Sequence, residues 1–164
     1  MAQEERKVGF EPVFDANSKL LILGSFPSVK SREIDFYYGH KQNRFWKMLF
    51  GFFGQEVPNE TAEKKRFLLK KGIALWDMAV SCEIKGSADA SVKNAELADL
   101  ERIFNRASIE KILLNGTLSY ELFIQKYAEI SIPYIKMPST SPANPRYSEE
   151  AWHKELYAIF NLFK

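Results

Sequence analysis

The chain has 164 residues, 46% of them hydrophobic and 14% aromatic, with a formal net charge of +2. That length and composition suit one domain with its own core and exclude a disordered chain, while so small a charge neither demands nor opposes a nucleic-acid partner. The single cysteine, Cys82, excludes an internal disulfide and a cysteine-built zinc or iron–sulfur centre.

Residues 1–17 read as an N-terminal arm ahead of a single domain spanning 18–164. The opening MAQEERKVGF has no apolar run of signal-peptide length, and nowhere do eighteen apolar residues follow one another. With the lone thiol, this leads to the expectation of a soluble, cytoplasmic, monomeric protein. The charge run 3–7 is expected to be solvated, while Phe10, Pro12, Val13 and Phe14 dock the arm. Residues 20–23, LLIL, form a continuous apolar run, as a strand buried on both faces requires. After a loop over 24–42, residues 45–53 read as a short helix ended by Gly51 and Gly54. A second helix starts at Pro58-Asn59, capped by Asn59, and closes at Gly72. Residues 73–76 are a second buried strand ending at Asp77, followed by a loop over 81–92 that carries Gly86. Asn94 is expected to cap a third helix with Leu97, Leu100, Ile103 and Phe104 on one stripe. Residues 109–114 and 132–136 are further strands, separated by a helix over 117–128. Met137 to Pro145 is a proline-rigidified loop. The last helix begins near Ser148 and buries Trp152, Leu156, Ile159, Phe160 and Phe163.

Alternating strands and helices imply an α/β fold with a parallel sheet between helices. In such a sheet the loops after the strands gather at one edge, where ligands bind. Four loops therefore converge: 24–42, 77–93, 115–117 and 137–147.

Those loops carry the candidate chemistry. Gly24-Ser25-Phe26-Pro27-Ser28 is small, polar and stiff. It suits a phosphate or a polar ring edge, or is simply a strand-to-loop turn. It is neither a dinucleotide fingerprint nor a phosphate loop. Phe36-Tyr37-Tyr38-Gly39-His40 offers rings that stack on a planar base or merely hold the loop down; His40 is a candidate acid, base or phosphate ligand. Asn43 either caps the following helix or presents its amide to a water or base edge. Asp77 can accept from the N–H of a planar heterocycle, or cap a turn through Met78 or Ala79. Ser139, Thr140 and Ser141, between Pro138 and Pro142, suit phosphate contact without strong charge, or a plain rigid connection. No carboxylate pair is spaced for sugar hydrolysis, and no Ser-His-Asp set stands out.

Taken in order, Gly24-Ser25-Phe26-Pro27-Ser28, Tyr37-Tyr38-Gly39-His40, Asn43-Arg44-Phe45-Trp46, Gly72-Ile73-Ala74-Leu75-Trp76-Asp77 and the segment Met137-Pro138-Ser139-Thr140-Ser141-Pro142-Ala143-Asn144 resemble the uracil-DNA glycosylase superfamily over residues 18–163. The closest branch is the hypoxanthine (deoxyinosine) DNA glycosylases, near the mismatch-specific uracil/thymine enzymes. The resemblance implies a three-layer α/β/α sandwich around a four-stranded parallel sheet. It also implies hydrolytic removal of a flipped, deaminated base from DNA without metal or cofactor. Phe26 stands where other branches carry a catalytic Asp or Asn, and Met137 where they carry His or Asn. The deoxyinosine branch is similar in lacking both, and the resemblance implies that the asparagine of its Asn-Arg-Phe-Trp motif, here Asn43, is the catalytic residue. Phe45 is implied to stack on the base, with Asp77, Phe26, Gly24 and Ser25 around it. Ser28, His40, Ser139, Thr140, Ser141, Ala143 and Asn144 are implied to meet the DNA. The alternatives are a uracil/thymine mismatch enzyme and an inactive nucleic-acid-binding relative.

Overall fold

A computed structural model describes residues 6–83 and 93–162. In chain order the elements are β1 (Arg6–Val8), β2 (Leu20–Gly24), α1 (Val29–Ile34), α2 (Phe45–Phe52), α3 (Thr61–Lys71), β3 (Ile73–Asp77) and β4 (Ala79–Glu83). They continue with β5 (Lys93–Leu97), α4 (Glu101–Phe104), β6 (Lys111–Asn115), α5 (Thr117–Tyr127), β7 (Tyr134–Met137) and α6 (Glu149–Leu162).

The apolar runs become a parallel sheet of spatial order β3-β2-β6-β7. Leu20 lies beside both Ile73 and Lys111, and Leu23 beside Trp76 and Leu114. Every residue of β2 and β3 is buried, which is why neither run shows polar alternation. The chain steps from β2 to β3 in one direction and from β6 to β7 in the other. Parallel crossovers are right-handed, so the two sets of crossover helices must take opposite faces. Accordingly α3 packs on β3, and α5 on β6 and β7. The result is a three-layer sandwich, with α2 and α6 packed on each other.

A second, antiparallel sheet of order β1-β4-β5 continues from β3. Met78 and Ala79 donate their N–H groups to the carbonyls of Gly24 and Ser25 (2.8 and 2.9 Å), so the β2–β3 ladder runs into it. The N-terminal segment is strapped along this flank. Val13 and Leu75 exchange backbone hydrogen bonds of 2.9 Å both ways. Trp76 Nε1–H donates to the Phe10 carbonyl (3.1 Å), the Tyr37 hydroxyl to the Glu11 carbonyl (2.8 Å), and Arg102 pairs with the Glu11 carboxylate.

Several expectations are corrected. No helix starts at Asn94. Residues 93–97 are strand, pairing Leu97 with Ala79 and Lys93 with Glu83. Asn94 has φ of +50° and donates through Nδ2 to Glu83 (2.8 Å). The apolar stripe from Leu97 to Phe104 is split, because Leu97 ends a strand while Ile103 and Phe104 belong to the four-residue α4. Residues 81–83 are strand rather than loop, and 84–92, including Gly86, lie outside the described residues. Arg6–Val8, partly within the presumed solvated run, pairs with β4. The loop 24–42 contains a helix, α1, capped by Ser28, whose Oγ accepts from the Ser31 N–H (3.1 Å). α3 starts at Thr61, so Asn59 is not its cap. α6 buries Trp152, Leu156 and Ile159 and half-buries Phe160; Phe163 lies outside the described residues.

Burial lifts the Tyr37 phenol well above its ordinary pKa, and the Asp77 charge adds to this. Between the unfolded and folded values the unfolded chain has lost this proton and the native state has kept it, so stability falls as pH rises. Above about pH 10 the decline contributed by Tyr37 approaches about 1.4 kcal/mol per pH unit. Thermal unfolding between pH 8 and 11 should show Tyr37→Phe less stable at pH 8, for want of the Glu11 bond, but with a shallower alkaline decline.

Candidate active site

The point where the crossovers diverge, between β2 and β6, is where an open α/β sheet leaves a crevice beyond its strand ends. A cleft of about 1120 Å³ opens there, lined by residues following β2, β6 and β7 together with Asp77 at the end of β3. Beyond β3, the loop expected to converge on the cleft instead passes into β4, and Asp77 is its contribution.

The floor is made by Gly24, Asp77 and Tyr38. Asp77 is 5% exposed, paired in register with Gly24 across β2 and β3. A Cβ on Gly24 would collide with Asp77 Oδ1 and come within 2.8 Å of the Tyr38 hydroxyl. Glycine is needed here for this close approach, which no larger residue permits. Tyr38 takes a left-handed conformation, φ +53°, unusual outside glycine. The turn is held by the Gly39 N–H donating to the buried Ser31 hydroxyl (2.8 Å). The Tyr38 ring lies on Phe45 at 4.2 Å between centroids and 31° between planes. Phe45 in turn meets Trp46 and Trp152 edge-on, so the ring is backed by a continuous aromatic core.

Asn43 stands at the entrance to α2 on the cleft wall. Its Oδ1 accepts from the Phe45 N–H (2.9 Å), which fixes the amide plane. An amide oxygen has two lone pairs, so one remains for a water or ligand. The N-cap of α2 is Arg44 rather than Asn43; Asn43 stands one residue before it, and its bond to Phe45 leaves the ligand-facing role open.

The third wall is residues 138–146, and it is pinned from three sides. Asn115 and Thr140 form a reciprocal pair, Thr140 N–H to Oδ1 and Nδ2 to Thr140 Oγ1, both 3.0 Å. Arg44 donates its backbone N–H to the Thr140 carbonyl (3.1 Å) and its guanidinium to the carbonyls of Ser141 (2.5 Å) and Asn144 (3.0 Å). The guanidinium also sits 4.2 Å from the Tyr147 ring. Burial and Glu149 push the Tyr147 phenol up to about 12, against a smaller downward pull from Arg44. Trp152 Nε1–H closes the third side, donating to the Pro138 carbonyl (2.8 Å). Gly116, at φ +99°, lets α5 begin in contact with Ser139.

The cleft brings together Gly24, Ser25, Phe26, Ser28, His40, Asn43, Asp77, Ser139, Thr140, Ser141, Ala143 and Asn144. It does not bring in Phe45, which is fully buried behind Tyr38. The cleft is lined instead by Phe26, Tyr37 and Tyr38, of which Tyr38 lies on Phe45, and spacing within Tyr37-Tyr38 through Phe45 gives no way to rank them. Thr140 is also fully buried, its hydroxyl committed to Asn115, so its role is to hold the loop. Ser139 and Ser141 each accept one backbone N–H, from Ser141 (3.1 Å) and Ala143 (3.2 Å), and keep their own hydroxyl protons to donate. The His40 ring accepts from the Gln42 N–H at Nδ1 (3.0 Å), leaving the neutral ring's proton on Nε2. Arg44 and Asn115 escaped the sequence reading; the signal for Arg44 was its place beside Asn43. Among the described residues no group of three His, Cys, Asp or Glu is placed to hold a metal, and no helix is long and apolar enough to cross a membrane.

Comparison with known proteins agrees with this fold. The family model "Uracil DNA glycosylase superfamily" matches residues 11–160. A hypoxanthine DNA glycosylase of Methanosarcina acetivorans is 32% identical over 159 residues, 94% of this chain and 98% of the relative. Its Methanosarcina barkeri counterpart is 33% identical over 118 residues, 71% of this chain and 75% of the relative. A solution NMR structure of a candidate uracil DNA glycosylase from M. acetivorans superposes with a TM-score of 0.79 at 30% identity, over 95% of this chain and 97% of that one.

The Arg44 fork makes a local prediction. Arg44→Lys keeps the charge but cannot span the Ser141 and Asn144 carbonyls in the same geometry. It should destabilise the protein by about 1–3 kcal/mol and accelerate amide hydrogen exchange at residues 140–146 more than in the central sheet.

Proposed function

This chain belongs to the uracil DNA glycosylase superfamily, and on that premise we propose that it excises hypoxanthine from DNA by hydrolysis of the N-glycosidic bond. The observation that carries the reading is the meeting, in one cleft, of a fixed amide, a buried carboxylate, an aromatic ring and a pinned hydroxyl-bearing loop. The relatives named as hypoxanthine DNA glycosylases support the choice of base.

A base inside a duplex hides its glycosidic carbon, so the nucleotide must rotate out into the cleft. The loop around Pro142 and Ala143, both exposed, enters the minor groove and takes the space the base leaves. Ser28, His40, Ser139, Ser141 and Asn144 contact phosphates, using hydroxyl and N–H donors rather than a run of cations. Arg146 and Lys136, which also line the cleft, add positive charge at its rim. Thr140, committed to Asn115, is left out of the contact set.

Tyr38, backed by Phe45, stacks on the extruded base, the role the resemblance gave to Phe45. Asp77 accepts the N1–H of hypoxanthine, while Gly24 and Ser25 let the ring approach the backbone; Phe26 closes the pocket without taking part in the chemistry. As the glycosidic bond breaks, positive charge builds on the sugar and negative charge on the leaving base. Asn43 orients the attacking water through the free lone pair of Oδ1. Asparagine is a weak base, and a dissociative reaction asks little proton removal before the bond has opened. No step requires a metal or organic cofactor. The chain acts as a monofunctional glycosylase, releasing a free base and leaving an abasic site for later repair steps.

The test is base release from duplexes carrying inosine, uracil, xanthine or a G:T pair. Inosine should be the fastest substrate. Asn43→Ala should lower the rate on the order of 10²–10³-fold while retaining affinity for the same duplex. Unchanged turnover in this variant would remove Asn43 from the mechanism. A preference for uracil would move the protein to the mismatch-specific reading, and binding without release on every duplex would make it an inactive relative.

A further inference from the structure

Tyr38, whose ring stacks on the base in the proposed reaction, stands in a backbone conformation that a tyrosine rarely adopts, φ +53°. Such a residue keeps its place only where its surroundings over-determine it. On its C-terminal side the anchor is the Gly39 N–H, donated to the Ser31 hydroxyl (2.8 Å). On its N-terminal side the anchors pass through Tyr37. The Tyr37 carbonyl accepts from Trp46 Nε1–H (2.8 Å), which fixes the peptide joining Tyr37 to Tyr38. The Tyr37 hydroxyl donates to the Glu11 carbonyl (2.8 Å), and the Phe10 ring meets the Tyr37 ring edge-on, 5.1 Å between centroids.

Those last two contacts come from the segment that the sequence places in an arm ahead of the domain. The segment is itself tied to the flank of the fold. Gly9 N–H donates to the Val80 carbonyl (2.9 Å), Trp76 Nε1–H donates to the Phe10 carbonyl (3.1 Å), and the Glu11 carboxylate pairs with Arg102. A Cβ on Gly9 would rest 3.5 Å from both Phe26 and Pro27, so the arm also backs the turn that follows β2. Phe26, Pro27, Tyr37 and Tyr38 line the cleft, while residues 9–11 stand behind it.

We infer that residues 9–11 are a positioning element of the base pocket, acting through Tyr37 to hold the Tyr38 ring where the extruded base stacks. This rests on the proposal that the cleft receives a flipped base. Stacking depends on the offset and tilt of the two rings. A tyrosine released from one anchor of a left-handed conformation has the broader β and right-handed regions open to it. Loosening the arm therefore disorders the stacking ring without changing any group that meets a phosphate or the base edge. Reordering that ring then subtracts from the affinity for an extruded base. An undamaged duplex, whose bases stay in the helix, does not call on the ring.

The experiment measures equilibrium binding to a duplex carrying a non-cleavable 2′-fluoro analogue of deoxyinosine and to the same duplex undamaged, at a temperature where every variant is folded by circular dichroism. Wild type should prefer the inosine analogue. Tyr37→Phe removes the hydroxyl that reaches Glu11, and Phe10→Ala removes the ring that backs Tyr37 from outside the cleft. Each should lower the preference about three- to tenfold, the scale of one neutral hydrogen bond, with binding of the undamaged duplex unchanged. Ile109→Ala controls for stability alone: Ile109 is buried ahead of β6, at the end of the sheet away from the cleft, and the preference should not move. Tyr38→Ala supplies the remaining arm, because a group acting through Tyr38 has no further effect once that ring is gone. The double variant Tyr37→Phe/Tyr38→Ala should match Tyr38→Ala. An unchanged preference in Tyr37→Phe and Phe10→Ala, an equal loss in Ile109→Ala, or a further drop in the double variant would overturn the inference. Equal binding of both duplexes by wild type would instead overturn the base-recognition reading and this inference with it.

Discussion

The handedness of two crossovers places this site. From adjacent strands the chain leaves β2 toward β3 and β6 toward β7, and right-handed connection sends the intervening helices to opposite faces. The space above the ends of β2 and β6 cannot then be covered by either layer. The polar groups of the cleft come from the ends of β2, β6 and β7 and the loops that follow them, with Asp77 at the end of β3 and Asn43 at the entrance to α2. The Ser119 hydroxyl donates to the Leu23 carbonyl (2.7 Å) and ties the start of α5 to the end of β2, holding the seam at a fixed width.

Much of this was legible because burial on both faces leaves a plain mark. The runs 20–23 and 73–76 contain no polar residue, and both became strands of the central sheet. Residues 93–97 misled because KNAEL fits a helical stripe as well as a strand. Five residues cannot separate a period of 2 from one of 3.6, and the deciding factor was the distant partner β4. The short α1 was hidden for a related reason: it is a single turn and a half fixed by Ser28 and Ser31, with no apolar stripe.

The site was legible as a set of segments but not as a set of surfaces. Phe45 and Tyr38 are both aromatic, and only packing reveals that one lies behind the other. Thr140 looked equivalent to its serine neighbours until its hydroxyl was found paired with Asn115 in the interior. Arg44 looked like a surface cation next to a helix start. In the fold it uses backbone and side chain to join the wall carrying Asn43 to the wall carrying Ser141 and Asn144. The cleft walls are consequently cross-linked by neutral carbonyls and one guanidinium, and its floor holds a single carboxylate. That is an arrangement of fixed dipoles, suited to charge that appears only during reaction.

The bridge between Val13 and Leu75 has a consequence outside the cleft. An open parallel sheet ends in two rows of unpaired backbone groups, each able to recruit a strand from another chain. Along β3 that row is met at Leu75 by Val13 of the N-terminal segment, which bonds it in both directions. The opposite border, β7, is four residues long, follows Pro133 and carries the exposed Lys136. Proline, brevity and charge are the features that discourage strand addition. One border is met by the N-terminal segment and the other is short, follows a proline and carries a charge, so a core built from uninterrupted apolar strands does not leave long, bare apolar strands at its sheet edges.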